Sequence, residues 1–239
     1  MKYFERTYRN KIGVNNLISF SVCEQQTDLF IQADMDLSTQ ARASVHIYRS
    51  HLKDYIKSNP SFLTSLRPLP NDPFALPIVR TMLEAAICAR VGPMAAVAGA
   101  IAEYVGSDLS AFSKNLIIEN GGDIYLKTTR ELNIAIFAGE SPLSYKIALK
   151  IKPNDKPMGI CTSSGTVGHS LSLGIADAVC VKAWTASIAD AAATAIGNRV
   201  KNKSDIKKAL EAGKNIKGVL GILIIVGNQF GVIGDMELT

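Results

Sequence analysis

Alternating apolar and polar positions predict strands in several parts of the chain. The alternation at residues 17–23 and again at 28–33, with the polar letters EQQT between them, is typical of a hairpin. The uninterrupted apolar run at residues 219–226 predicts a buried strand. Further strand-like runs occupy residues 116–119, 123–127, 132–138, 145–151 and 177–183.

Apolar residues spaced three or four apart predict helices elsewhere. One helix is expected to begin with Ser38 as its N-cap and to end before the pair Asn59-Pro60. Another is expected to carry Pro93 in its first turn and Gly106 at its C-terminal cap. Further helical segments are predicted at residues 78–90, 187–200 and 204–212. The strands cluster and do not alternate strictly with the helices, so the predicted fold class is α+β with a mixed or antiparallel sheet.

Composition and charge narrow the classes of function. With 239 residues, 47% of them apolar, the chain can bury a full core, and a single domain over residues 1–239 is expected. The net charge of +5 comes from scattered lysines and arginines, which favours an anionic small molecule over nucleic acid. No apolar leader and no apolar run of about 20 residues is present, and the four cysteines lack zinc-type spacing. We therefore expect a cytoplasmic protein without a membrane span.

The first candidate site segment is the run Asn120-Gly121-Gly122-Asp123, which lies between two apolar strands. Asn-Gly in this position is a strong hairpin signal, because a type I′ turn needs positive φ at both central residues. That structural role accounts for the glycines. It leaves the carboxylates of Glu119 and Asp123 available for ribose hydroxyls or a metal-bound group, with the bare backbone allowing a ligand to approach closely.

The second segment reads GICTSSGTVGHS and spans residues 159–170. Its hydroxyls, amides and glycines are suited to an anion-binding concavity, although the segment matches neither a Walker P-loop nor the GxGxxG pattern. His169 is either a general acid or base or a structural hydrogen-bonding residue. Cys161 is either a nucleophile or a small core residue. The residues of this segment assigned to ligand binding are Thr162, Ser163, Ser164, Gly165 and Thr166.

The third segment, residues 185–198, is an alanine-rich helix start. If Ser187 caps this helix, Asp190 lies in its first turn, where the helix dipole favours a carboxylate. Asp190, Thr194 and Asn198 are four residues apart and share one helix face. Hard oxygen ligands on a stripe of small residues suit Mg²⁺. The same residues are also explained by an aspartate that caps an alanine-rich helix packed in the core.

Taken together, these segments resemble a known family. The motifs GPMAAVAGAIAE, ENGGD, TSSGTVGHS and ADAAAT are similar to those of bacterial and archaeal proteins grouped with the ApbE superfamily of FAD:protein FMN transferases. The resemblance covers nearly the whole chain and implies an ApbE-like fold. It also implies that Asp190 and Thr194 are metal ligands, joined by a backbone carbonyl such as that of Ala95.

The activity implied by the resemblance is Mg²⁺-dependent transfer of FMN from FAD to a hydroxyl of an acceptor protein, with His169 accepting the proton. The chain departs from the transferases after the histidine, where it has neither their acidic residue nor their proline. The flavin-contacting region at their N-terminus has no recognisable counterpart here. The metal and phosphate half of the site is thus better matched than the flavin half.

Two other classes of function remain open at this point. In the first, Cys161 carries or accepts sulfur in the assimilation of sulfur into homocysteine, as the resemblance to some archaeal proteins suggests. In the second, the protein binds a flavin or another nucleotide without catalysis. A homodimer is expected only as the commonest default.

Overall fold

The computed structural model describes residues 17–164 and 173–239, and its main element is an eight-stranded antiparallel sheet. The strand order is β1-β2-β3-β4-β7-β8-β9-β10, and every neighbouring pair is antiparallel. A separate three-stranded sheet has the order β11-β6-β5. The strands are β1 Ile18–Glu24, β2 Thr27–Ala33, β3 Leu116–Asn120, β4 Asp123–Thr128, β5 Leu132–Ala135, β6 Ala148–Ile151, β7 Asn154–Ser163, β8 Ala178–Ala183, β9 Val219–Val226, β10 Gln229–Gly234 and β11 Glu237–Leu238.

The helices follow the order of the chain and pack together on one face of the large sheet. The α-helices are α1 Ser38–Ser58, α2 Ser61–Thr64, α3 Pro77–Ala89, α4 Val97–Leu109, α5 Ala186–Gly197 and α6 Ile206–Lys214. Short 3₁₀ turns precede two of them, at Pro93–Ala96 before α4 and at Lys203–Asp205 before α6.

Two apolar cores lie on opposite faces of the large sheet. Alternate residues of β8 show this division, since Val179 and Val181 pack against the helices whereas Cys180 faces the second core. The second core is filled mainly by strand residues, among them Ile134 and Leu149 of the three-stranded sheet. The architecture is therefore a three-layer arrangement of helices, large sheet and small sheet, which confirms the predicted α+β class.

Most predicted strands and helices are present with shifted ends, but some expectations are wrong. Residues 154–163 form β7, which was not predicted because Asp155, Lys156 and Pro157 interrupt its apolar pattern. Gly106 does not cap α4. It lies inside that helix, where an added Cβ would be 2.3 Å from the ring of Tyr125, so its smallness permits close packing.

The two predicted hydroxyl caps are also wrong. Ser38 is the first residue of α1, and its N–H donates to the Asp36 carboxylate at 2.9 Å. At α5 the capping side chain is that of Thr185, which accepts from the N–H of Ile188 at 3.3 Å. The two hydroxyl residues at the start of α5 are only two positions apart, so sequence preferences alone do not separate them.

No single helix in the two described ranges is long and apolar enough to cross a membrane. The α3 helix and the segment Pro93–Leu109 reach the required length and apolar character only when they are taken together, and the two are bent by 104° relative to each other.

Candidate functional site

The β3–β4 turn forms one wall of the candidate site. Asn120 pairs with Asp123, so the turn proper consists of Gly121 and Gly122, whose φ values are 69° and 107°. Side chains other than glycine rarely adopt such values, which explains the Gly-Gly pair. The carboxylate of Glu119 accepts a hydrogen bond from the N–H of Gly122 at 2.7 Å, which stabilises the turn. The sequence prediction of a tight glycine hairpin is confirmed.

The buried side chain of Asn120 connects this turn to the beginning of α4. Its Nδ2 donates to the carbonyl oxygen of Ala98 at 3.0 Å. This bond gives the asparagine a role, because a hydrophobic residue at position 120 could not make this link to α4. A side-chain hydrogen bond therefore joins the turn to the first residues of α4.

Asp190 reaches the same region from α5. It lies in the second turn of that helix and not in the first, as the incorrect Ser187 cap had placed it. Its carboxylate accepts from the N–H of Gly99 at 2.9 Å and also from that of Ala98. These are free amides at the start of α4, so the carboxylate occupies the positive end of a neighbouring helix. Burial nevertheless raises the pKa of Asp190 to about 7, because the two amides only partly offset the loss of solvent.

Asp123 and Asp190 are close enough to influence each other electrostatically. Burial is the largest cause that raises the pKa of Asp123 well above its ordinary range, and the negative charges of Asp190 and Glu119 add to it. A hydrogen bond with Cys161 acts in the opposite direction. The site thus concentrates carboxylates at a place where two negative charges repel, a situation that a bound cation would relieve.

Cys161 lies beneath these carboxylates and faces Asp123 across the β4–β7 pair. It is fully buried, and its Sγ donates to the carbonyl oxygen of Ala186 at 3.3 Å. Burial raises the pKa of this thiol well above its ordinary value, and the charges of Asp123 and Asp190 raise it further. Reactive cysteines combine exposure with a lowered pKa, so the environment of Cys161 is that of a structural residue.

The hydroxyl segment begins as a strand. Thr162 and Ser163 end β7, and the N–H of Thr162 donates to the carbonyl oxygen of Gly122 at 3.2 Å, which places the segment directly beside the glycine turn. Thr162, Ser163 and Ser164 are each partly exposed. Gly165, Thr166 and His169 lie outside the described residues, so the predicted roles of these three residues stay predictions.

The remaining predicted metal ligands lie along the same two helical segments. Thr194 is one turn beyond Asp190 on α5 and is partly exposed. Ala95 belongs to the 3₁₀ turn that leads into α4, shortly before the amides that bind Asp190. Asn198 has another partner, because its Oδ1 accepts from the N–H of Leu173 at 2.8 Å.

The oxygen donors available here are a carboxylate, a hydroxyl and a main-chain carbonyl, which suit a hard cation such as Mg²⁺. Within residues 17–164 and 173–239, no group of three or more His, Cys, Asp or Glu side chains is arranged to hold a metal ion. A cation bound here would therefore depend on neutral oxygens and on oxygens of its ligand.

One residue of the site was missed by the sequence prediction. Glu103 of α4 accepts from both the N–H and the hydroxyl of Ser187, at 3.0 and 2.8 Å, and so binds the free amides at the start of α5. Burial raises the pKa of this carboxyl, and its hydrogen bonds with Ser187 and Ala186 act in the opposite direction. A lone carboxylate in the apolar run AAVAGAIAEYVG is the signal that could have identified it.

Solved structures with the same fold define the structural class. The flavinyl transferase ApbE of Pseudomonas stutzeri, in its apo form, has a TM-score of 0.59 and 13% sequence identity, over 91% of this chain and 94% of that chain. A mutant of the flavin transferase ApbE of Vibrio cholerae has a TM-score of 0.58 and 14% identity, over 91% and 97% of the two chains. The chain therefore has the ApbE fold.

Sequence comparison identifies the family. The chain belongs to the family described as AbpE bacteria, which matches residues 9–238. A UPF0280 protein of Methanococcus aeolicus is 42% identical over 221 residues, which cover 90% of this chain and 89% of the relative. A UPF0280 protein of Methanocaldococcus jannaschii is 45% identical over 193 residues, which cover 79% and 78%. The predicted resemblance to an ApbE-like family is confirmed.

Proposed function

We propose that this protein binds the pyrophosphate of FAD together with Mg²⁺ and transfers FMN to a hydroxyl of an acceptor protein. The observation that carries the proposal is the convergence of Asp190, the glycine turn and the end of β7. The structural neighbours named as flavin transferases support the choice of ligand.

The cation is assigned to the carboxylate of Asp190, the hydroxyl of Thr194 and the main-chain carbonyl of Ala95. The residues fit such an ion because their donors are hard oxygens and because the neighbouring carboxylates repel one another. When bound, Mg²⁺ supplies charge neutralisation for the phosphate oxygens. The amides of Ala98 and Gly99 keep the Asp190 carboxylate oriented, so the geometry of this ligand is fixed before any cation binds.

The phosphate and ribose groups are assigned to the glycine turn and the hydroxyl segment. Residues 120–123 offer a bare backbone and the carboxylate of Asp123, and residues 162–166 offer hydroxyls and amides. The bond between Thr162 and Gly122 holds these two segments side by side. A single ligand can therefore contact both of them.

In the proposed reaction, the oxygen of the acceptor hydroxyl attacks the FMN phosphorus of FAD. The new P–O bond forms as the pyrophosphate P–O bond breaks, AMP leaves, and the hydroxyl proton passes to His169. The contribution of this chain is to bind the pyrophosphate, to orient it and to accept the proton. The His169→Ala variant should lose FMN transfer to the acceptor protein and still bind FAD. A His169→Ala variant that transfers FMN at the parental rate would exclude His169 as the proton acceptor.

The metal assignment is tested with two matched substitutions, Asp190→Asn at the site and Asp54→Asn on the exposed surface of α1. FAD binding is measured by equilibrium dialysis in Mg²⁺ and in chelator, with thermal unfolding as the check on folding. We expect Asp190→Asn to lose the Mg²⁺-dependent part of the affinity and Asp54→Asn to retain it. Unchanged Mg²⁺-dependent binding by a folded Asp190→Asn variant would overturn the assignment.

Two related outcomes separate this proposal from its alternatives. Tight Mg²⁺-dependent FAD binding without transfer to any protein hydroxyl would leave a ligand-binding protein that has lost the chemistry. Selective alkylation of Cys161 in the folded protein, blocked by a ligand, would favour the sulfur-transfer alternative. The burial of Cys161 leads us to expect no alkylation before unfolding.

A further inference from the structure

The second edge of the large sheet carries features that the flavin site does not use. Within the described part of the chain, β10 pairs only with β9, and it lies three strands along the sheet from β7. Strands are spaced about 4.8 Å apart, so this edge is about 14 Å from β7. It is a separate surface of the molecule.

The register of the hairpin shows which backbone groups of β10 face outward. β9 and β10 are joined by a two-residue turn that begins with Gly227 at φ 62°, and Val226 pairs with Gln229 across it. Antiparallel pairs alternate between hydrogen-bonded and non-hydrogen-bonded positions. Counting from the turn, Phe230 and Val232 direct their N–H and C=O groups away from β9. Their side chains are 50% and 42% exposed, which is high for apolar residues.

A groove of about 520 Å³ runs beside this edge, between β10 and α6. Gly231 allows α6 to pack directly on β10 at the base of this groove, because a Cβ at that position would lie 2.6 Å from Ile206 and 2.9 Å from Leu210. The helix can therefore lie directly over the strand. The described lining residues are Lys203, Ser204, Ile206, Lys207, Leu210, Asn228, Gln229, Phe230, Gly231 and Val232.

The charge of the groove specifies the kind of occupant. Two lysines and no acidic residue are among the described lining residues. An extended strand placed against β10 would pair with its outward N–H and C=O groups, and acidic side chains on that strand would meet Lys203 and Lys207. A second copy of this chain, paired through the same edge, would instead bring the lysines of both copies together.

We propose that the β10 edge is a docking site for an extended acidic segment of a partner protein, which adds a ninth strand to the sheet. The partner is defined by this chemistry: a β-strand with apolar residues alternating with Asp or Glu, and with a free backbone along one side. The proposal is independent of flavin binding, because none of the residues assigned to the cation or the phosphates lies in this groove.

The test uses a fluorescently labelled peptide of alternating valine and glutamate. Three matched peptides serve as comparisons: one with lysine for glutamate, one with the same letters scrambled, and one N-methylated along the edge that would pair. Binding is followed by fluorescence anisotropy at low and high salt. We expect only the unmethylated alternating acidic peptide to bind, with an affinity that falls as salt rises, and to slow hydrogen exchange at the amides of Phe230 and Val232.

Substitutions in the protein test the same surface. We expect Lys203→Glu combined with Lys207→Glu to weaken binding at least tenfold. Lys208→Glu, on an exposed position of α6 outside the groove, should leave binding unchanged. Val232→Pro removes an outward N–H without removing a β9 hydrogen bond and should abolish binding. If this variant does not fold, the N-methylated peptide tests the same contact.

Three results would overturn the proposal. One is equal binding of the acidic and lysine peptides, and another is the absence of exchange protection at β10. The third is a dimer in analytical ultracentrifugation that Val232→Pro dissociates, since the occupant of the edge would then be a second copy of this chain.

Discussion

Gly99 lies where α4 packs closely against α5, and replacing it with alanine is a direct test of how the site is built. A Cβ at this position would lie 2.2 Å from the carbonyl oxygen of Ala186 and 2.8 Å from the Cβ of Asp190. Real Cβ atoms essentially never come within 3.0 Å of such neighbours, so the helices must separate by about 0.8 Å. The backbone oxygen at the contact cannot rotate away as a flexible side chain can.

The same movement breaks the bond that orients the carboxylate. Separation by about 0.8 Å along this bond lengthens the distance from the N of Gly99 to the Oδ2 of Asp190 from 2.9 Å to at most about 3.7 Å, which is beyond hydrogen-bonding distance. Overpacking of a core costs about 1–3 kcal/mol, and losing a hydrogen bond to a charged group costs about 1.5–3 kcal/mol. Alanine regains about 0.5–1 kcal/mol of helix propensity. We therefore expect Gly99→Ala to destabilise the protein by about 1.5–5.5 kcal/mol.

The matched control is Gly197→Ala at the other end of α5. A Cβ there would lie 3.8 Å from the side chain of Val179 and 4.0 Å from that of Ser163, which are ordinary van der Waals distances. This variant should be neutral or stabilised by up to about 1 kcal/mol. The assay is urea unfolding followed by circular dichroism, together with FAD affinity in Mg²⁺. Equal stability of the two variants would refute the close-contact argument.

Three further predictions concern other parts of the molecule. Glu103→Ala should lower the free energy of unfolding by about 1–3 kcal/mol, because it leaves buried amides of α5 unpaired; urea unfolding measures this, and a loss below about 0.5 kcal/mol would contradict it. Desolvation raises the pKa of Asp34, but hydrogen bonds from Asn115, Ser113 and Lys114 outweigh it and lower the pKa below 3.8. The stabilisation is present above pH 3.8 and is lost as the pH falls through the lower folded value, so the stability advantage over Asp34→Asn, which solvent screening keeps small at this exposed residue, should disappear in acid; a pH-independent difference between the two unfolding curves would contradict this. Cys161 should react with iodoacetamide only at the rate of global unfolding, and mass spectrometry showing fast labelling in native buffer would be inconsistent with its burial.

Local patterns predicted the parts of the fold that depend on neighbouring residues in sequence. The glycine pair at 121–122 predicted its hairpin because positive φ is a property of the turn itself. The strands at residues 18–24, 27–33 and 219–226 were predicted because each carries a clear apolar pattern.

Other features depend on contacts between elements distant in sequence, and the sequence pattern does not contain them. The role of Gly106 is set by the ring of Tyr125, and that of Glu103 by the start of α5. The position of Asp190 in the second turn of α5 matters only because the start of α4 lies against it. The glycine turn and Asp190 are both visible as motifs, whereas the hydrogen bonds that unite them belong to the tertiary structure.

The central claim of this account is that the site binds a pyrophosphate together with a divalent cation. Its most direct test is isothermal titration of metal-stripped protein with FAD and with FMN, in the presence and absence of Mg²⁺. We predict that FAD binds with micromolar affinity only when Mg²⁺ is present, and that FMN, which has no pyrophosphate, binds at least tenfold more weakly. Equal FAD affinity with and without Mg²⁺, or no FAD binding in either condition, would contradict the claim.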